Sequence, residues 1–545
     1  MNSMLFNGAT VVDGTGEPRY EADVLVRAGR IAAIARPGSL PATVLQSEAG
    51  ARRVDARGRI LSPGFIDMHA HSDLALLADS SHVAKLSQGV TTEVIGQDGI
   101  AYAPVDDITM HQVRRQIAGW DGNPPSLDYS WRSVEDYLTL LERGIATNAA
   151  VLVPQGNLRM LTIGQDDRMA TADEVAAMRD MLRDGLAAGA VGLSSGLTYT
   201  PGMYADTAEL ESLCAVVAEY GGYYCPHTRS YGAGALDAFA EVIGIARRTG
   251  CALHLAHATL NFATNRDAAA PFLAMLDAAR NDGVDVTLDT YPYLPGATTL
   301  AALLPSWFAA GGPDAMLARL AARHDRDALA ESLKAGADGF HGEPADWSLI
   351  EIAGVASAQL EHYVGSTVAQ IAEAEGRDAL DVIAEILVED ELATSVLMHI
   401  GHEHNVQAVM RDSGHCGGSD GILVGTKPHP RAWGTFPRYL ARYVRELGIL
   451  SLEECVRHLA CTPARRLSLK DRGLVREGFA ADLVLFDETT VQDTATFDHP
   501  RRQASGIDMV LVNGRVAYEN GRTTDARSGT ALRSQHAQYS KAERK

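Results

Sequence analysis

The stretch PGFIDMHAH, residues 63–71, sets two histidines at the end of a short apolar run. Side chains two apart along a strand point to the same side, so His69 and His71 converge. Paired imidazoles suit a borderline metal such as zinc. Asp67 shares their parity and is expected to orient one of the rings. An isolated HxH is weak evidence of a metal site. What gives this one weight is its place, at the start of a long series of strands and just after a small set of others.

Upstream, LFNGATVVDG (5–14), ADVLVRAGRIAAIA (22–35) and ARRVDARGRILSPG (51–64) read as strands, punctuated by Gly and Pro and partly alternating. A matching set returns in GFAADLVLFD (478–487) and IDMVLVNGRVAYENGR (507–522). Residues 1–62 and 468–530 are therefore expected to pair into one small β domain, with 531–545 a loosely ordered polar tail.

Downstream, short strand candidates alternate with helical stretches. They are GFIDMHAH (64–71), GVTTEVIG (89–96), NAAVLVP (148–154), AVGLSSG (190–196), GYYCPHT (222–228), CALHLAH (251–257), VDVTLDTYPY (284–293) and HCGGSDG (415–421). Between them, TADEVAAMRDMLRDGLAAG (171–189) and ALDAFAEVIGIARRTG (235–250) carry apolar residues at helical spacing. Eight such alternations predict an α/β fold, a (β/α)8 barrel over 63–467, with its chemistry at the C-terminal strand ends. Nearly every candidate ends in His, Asp, Ser or Thr. Between strands seven and eight, residues 303–398 break the rhythm with mostly helical patterning. They are expected to form an inserted lid, because a barrel loop of this length is usually functional.

The 545 residues are 46% hydrophobic and 21% charged, as in an ordinary globular protein. A net charge of −21 argues against nucleic-acid partners. No apolar run approaches the roughly 18 residues of a membrane helix, and MNSMLFNGATVVDG lacks the basic and apolar regions of a signal peptide. Neither membrane nor export is expected, and the cytoplasm is the default. The six cysteines show no CxxC and read as buried thiols of a reducing compartment.

His227 ends the fifth strand candidate and His257 the sixth, 30 positions apart, about one βα unit. Both should therefore reach the same barrel mouth. His254 has the opposite parity and is expected to pack behind the barrel. Asp420, in GGSDG, is the candidate general base: a metal acidifies its water, and a carboxylate beside it passes the proton to a leaving amine. His399, His402, His404 and His415 cluster in HIGHEHNV and SGHC, but the spacing is not HExxH. They are assigned to the insertion and the approach to strand eight, some of them lining the substrate pocket.

In this order, PGFIDMHAHSD, QGVTTEVIGQDG, GLSSGLTYTPGMYA, the His227 and His257 segments, DTYPY, and GGSDG followed by HPRAWGTFPR resemble the D-aminoacylase (N-acyl-D-amino-acid deacylase) family of the amidohydrolase superfamily. The match runs from about residue 60 to 465. It implies His69, His71, His227 and His257 as ligands of one or two zinc ions and Asp420 as the catalytic base. It further implies a small-molecule substrate with a free carboxylate, and it is compatible with a homo-oligomer.

Three departures stand out. The family's metal-binding cysteine after strand two is replaced here by Asp98 in GQDG. A carboxylate can bridge two metals in its place, though it is a harder ligand, and Glu93, in the same strand, is the rival. Strand four, GLSSG, has no lysine, which counts against the carboxylated-lysine bridge of hydantoinase-like relatives. Thr259 stands where the family often has a substrate-binding lysine. Arg229, of the same parity as His227, is then a candidate for the substrate carboxylate, against a simple ion pair with a nearby acid. Arg431 in HPR is another. Tyr199 matches a substrate-contacting tyrosine of the family and could polarise the scissile carbonyl, and Tyr291 either lines the pocket or packs in the barrel. The expected reaction is hydrolysis of an N-acyl-D-amino acid, or of a dipeptide with a C-terminal D-residue. A cyclic-amide hydrolase is the alternative.

Overall fold

The computed structural model describes residues 3–48 and 50–534. Eight parallel strands follow one another around a single sheet: β1 (Phe65–Asp67), β2 (Val90–Ile95), β3 (Asn148–Pro154), β4 (Gly192–Gly196), β5 (Tyr223–His227), β6 (Ala252–Leu255), β7 (Val286–Thr290) and β8 (His415–Gly417). The ring closes between its ends. The Met68 N–H donates to the Gly417 carbonyl at 2.9 Å, and just beyond, Ala70 and His71 pair in parallel with Gly421 and Ile422. This is the expected (β/α)8 barrel.

The strands are buried on both faces, and alternate residues sort into two cores. Val94, Ala150, Leu152, Tyr223 and Cys225 belong to one. Ile95, Val151, Val153, Tyr224 and Leu253 pack with the surrounding helices in the other. The helices carry their own start and stop signals. Ala172–Ala188 opens on a capping box between Thr171 and Glu174, which satisfies otherwise unpaired N–H groups. Ala235–Thr249 ends at Gly250, whose φ of 69° suits glycine.

Both ends of the chain enter one nine-stranded sheet. Within it, Leu483–Phe486 lies antiparallel to Ile60–Pro63, immediately before β1. The end of this region differs from expectation. Ala531 bridges to Ala149 of β3, and Arg533 pairs with Glu135 and Glu142, both at 2.7 Å. Residues 531–534 are thus anchored, because Ala531 and Leu532 bury against the barrel. Residues 535–545, the rest of the expected tail, lie outside the described residues.

Between β7 and β8 the chain leaves the barrel earlier than its patterning suggests. Gly296–Thr299 forms a three-stranded antiparallel sheet with Ser395–Met398 and Ile350–Gly354. Helices complete the insertion around a core of its own that includes Phe308, Leu329 and Ile383. Strands of four or five residues leave too little alternation to stand out among helices, so the sequence reads as mostly helical there.

Candidate metal centre

The strand ends and the turns just beyond them assemble the site. Asp98 sits at φ 54° between Gly96 and Gly99. A Cβ on Gly96 would lie 2.5 Å from the Leu152 carbonyl oxygen, and one on Gly99 2.5 Å from the Gly196 nitrogen. Only glycine lets this turn press against β3 and β4. His257 and Asp420 also take positive φ, 28° and 47°.

The Asp98 carboxylate ends up amid four imidazoles. Its Oδ1 lies 3.5 Å from His69 Nε2 and 3.6 Å from His257 Nε2; its Oδ2 lies 3.6 Å from His71 Nε2 and 3.7 Å from His227 Nδ1. Asp420 Oδ1 stands 3.2 Å from His71 Nε2 and 3.8 Å from His69 Nε2. Two donor sets result, His69–His71–Asp98–Asp420 and Asp98–His227–His257, with Asp98 common to both. The gaps around Asp98, 3.5 to 3.7 Å, are too long for good hydrogen bonds. They match the ~3.4 Å edge expected between donors around one tetrahedral ion at about 2.0–2.2 Å. Both ring nitrogens of His69 and Asp98 Oδ1 are buried without a hydrogen-bond partner, which suits metal ligands and little else.

The electrostatics favour a cation at the centre. Burial works against it, yet Asp420 and Asp98 push the His71 imidazole up to about 9. Burial likewise opposes ionisation of Asp98, but the surrounding imidazoles, His69 first, hold it well below the usual carboxylate range. His227 is pushed down to about 4 by burial, which keeps it neutral as a ligand must be.

Asp420 is braced from the far side. Its Oδ2 accepts from Arg431 Nη2 at 2.8 Å. Arg431 is fully buried, with its guanidinium carbon 4.5 Å from the Tyr291 ring centroid, and its Nε and Nη1 have no partner. Although burial would raise Asp420, the Arg431 charge and the His71 contact hold it below the ordinary carboxylate range.

Several expectations are corrected. Glu93 has the parity of Ile95 and faces away from the cluster. Its carboxylate is engaged by His82 at 2.6 Å and by Ser72 and Thr147 at 2.7 Å. Asp67 orients backbone rather than a ring: it accepts from the N–H groups of His69 at 3.2 Å and Ser419 at 2.8 Å, and from Lys85 Nζ at 2.6 Å. The carboxylate that faces His69 Nδ1, on the side of the ring away from Asp98, is instead that of Asp289, at 3.8 Å. His254 is not behind the barrel but bonds Asp289 at 3.1 Å. Because β6 stops at Leu255 and His257 lies in a turn, parity along the strand does not separate the two histidines. Arg229 is consumed by Glu241 at 2.8 Å and by the carbonyls of Met203 and Ala205. His399 pairs with Glu351, His402 with the Phe262 carbonyl and His415 with His458. None of these histidines, nor His404, lines the pocket.

That pocket, about 620 Å³, is walled by the metal-facing residues together with Tyr199 and Tyr291. The Tyr199 hydroxyl meets Thr298 Oγ1 at 3.1 Å, and its ring lies 4.8 Å from that of His227. Sequence reasoning missed Trp120, Tyr231, Asn261 and His341 in the wall. No spacing rule marks them, since each reaches the pocket from a loop, a helix or the insertion.

The amidohydrolase family profile matches residues 52–518. The chain belongs to the amidohydrolase family. Within it, the chain is 35% identical to N-acyl-D-glutamate deacylase of Alcaligenes xylosoxydans xylosoxydans over 94% of its own length and 93% of that protein's. The crystal structure of N-acyl-D-glutamate deacylase from Bordetella bronchiseptica, complexed with zinc and a phosphonate mimic of the tetrahedral intermediate, superposes with a TM-score of 0.82 at 34% identity, covering 97% of this chain and 99% of that one. A D-aminoacylase structure described as having a binuclear metal centre, with one-metal activation and second-metal attenuation, gives 0.79 at 33% identity over 97% and 99%. This amidohydrolase shares the D-aminoacylase fold over nearly its whole length.

Proposed function

We propose that this amidohydrolase cleaves the amide bond of N-acyl-D-amino acids, or of dipeptides ending in a D-residue, using zinc held by His69, His71, Asp98, His227 and His257. The observation that carries the reading is the shared Asp98 carboxylate, each oxygen facing a different pair of histidines, with Asp420 at its side. Asp98 and the four histidines would hold one or two zinc ions. A bound zinc ion supplies Lewis acidity for the attacking water and for the amide carbonyl.

The protein's own groups account for the rest. Asp420, kept anionic by Arg431, takes a proton from the attacking water and delivers it to the departing nitrogen. Thr198 Oγ1, 2.7 Å from His227 Nε2, fixes that ring so that Nδ1 faces Asp98. The Tyr199 hydroxyl, raised well above its ordinary pKa by burial, stays protonated to donate to the developing oxyanion. No Lys or Arg lines the pocket. Arg431, with two unpaired nitrogens behind Asp420 and Tyr291, is the remaining cation for a substrate carboxylate. Among the described residues no helix is long and apolar enough to cross a membrane. All six cysteines are free and buried, which supports a cytoplasmic setting.

The test is amine release from a panel of N-acetyl-D-amino acids, their L-enantiomers, L,D-dipeptides and hydantoins. Turnover of the D-series is expected; turnover of only the cyclic amides overturns the reading in favour of a hydantoinase-like enzyme.

A further inference from the structure

A second cavity of about 600 Å³ adjoins the metal pocket and shares Trp120, Thr198, Tyr199 and Ala302 with it. The Trp120 and Tyr199 rings pack edge to face with centroids 4.9 Å apart and form the partition. Beyond them the wall is drawn from the segment after β2 (Ile117), the loop after β4 (Met203) and the insertion (Leu304, Met316, Leu392). No Asp, Glu, His, Lys or Arg lines it. Its polar atoms are neutral, and three buried groups lack partners: Trp120 Nε1, Gln116 Oε1 and the Gln165 side-chain amide.

We propose that this chamber is the subsite for the acyl chain, and that it takes an uncharged, largely hydrocarbon N-acyl group longer than acetyl. The inference rests on the deacylase reading. Asp420 must reach the leaving nitrogen, and Arg431 stands beside Asp420 and Tyr291, so the amine half of the substrate and its carboxylate belong on that side. The other substituent of the scissile carbonyl then points toward Tyr199 and Thr198, which lie against His227, and so toward the chamber. An anionic side chain is excluded from it because a carboxylate there would be buried with no counter-charge. A hydroxyl or amide on the chain is accepted, since the Gln165 amide and the Trp120 N–H can pair with it.

The test is an acyl series, acetyl to decanoyl plus succinyl, on the D-amino acid that the N-acetyl panel turns over best. Burial of each methylene is expected to raise kcat/KM about three- to fourfold until the chamber is full, with succinyl well below butanoyl. Met316 lines only the second cavity. Met316→Trp is expected to bring the octanoyl-to-acetyl ratio of kcat/KM down to about one. Met316→Ala, the guard against a folding failure of the larger substitution, is expected to move the optimum to a longer chain. A wild-type profile flat in chain length overturns the proposal. So does a Met316→Trp enzyme that discriminates by the size of the D-side chain rather than the acyl group, which would give the chamber to the amine half. If no N-acyl-D-amino acid is turned over, acetyl included, the deacylase reading itself falls and the subsite with it.

Discussion

Asp98 and Asp420 do different work with the same functional group, and their surroundings separate the roles. Asp98 touches only imidazoles, whereas Asp420 has an imidazole on one oxygen and Arg431 on the other. Asp420→Asn is expected to retain zinc, measured by elemental analysis, while kcat falls by about two to four orders of magnitude, the usual worth of a general base. Asp98→Ala is expected to lose bound zinc itself; full metal content in that variant would remove Asp98 from the ligand set. His69, His71, His227 and His257 are legible in the sequence because they recur at strand ends. The choice between Asp98 and Glu93 is not, for a definite reason. Asp98, His257 and Asp420 all sit at positive φ just past a strand, where alternation no longer dictates direction.

At the scale of elements, the barrel strands could be read from sequence, but the polar network that ties them together could not. Lys85, from the short helix Val83–Leu86, is fully buried and reaches Asp67 of β1 at 2.6 Å and Glu93 of β2 at 3.5 Å. Nothing in VAKLSQG marks this lysine, because its partners are distant in sequence. Lys85→Met strands two buried carboxylates and is expected to cost about 3–5 kcal/mol, read as a drop in the denaturant midpoint. In the insertion, Glu351 is flanked by His399 at 2.9 Å and Lys427 at 2.7 Å. Burial opposes its ionisation, but these partners hold its carboxyl below the usual range. A depressed pKa contributes stability that is complete above the unfolded value of about 4.3 and is lost as pH falls through the folded one. Glu351→Gln should therefore lower the thermal midpoint above about pH 4.3, where the wild type has the full contribution, and converge on the wild type at lower pH, so that the acid limb is flatter; profiles that run parallel at every pH would show that the trio adds nothing pH-dependent.

For the whole molecule, the order of motifs was enough to anticipate a barrel with a terminal sheet and an insertion. The inner sheet of the insertion and the anchoring of residues 531–534 were hidden, because each depends on a few residues meeting distant partners. A ligand that binds only the folded state stabilises it, by about 2.7 kcal/mol at a hundredfold excess over Kd. Chelation is therefore expected to lower the thermal midpoint and zinc to restore it; a midpoint indifferent to both would argue against a metal held by five or six groups from different strands. The pairing of Ile60–Pro63 with Leu483–Phe486 also has a consequence in time. During synthesis one edge of the early strand has to wait for its partner, some 420 residues later in the chain (483 minus 63). At about 5–20 residues per second, that is roughly 20–80 s. Through that interval the nascent chain carries an open β-edge directly before the first barrel strand, which makes it a client for whatever shields unfinished proteins at the ribosome.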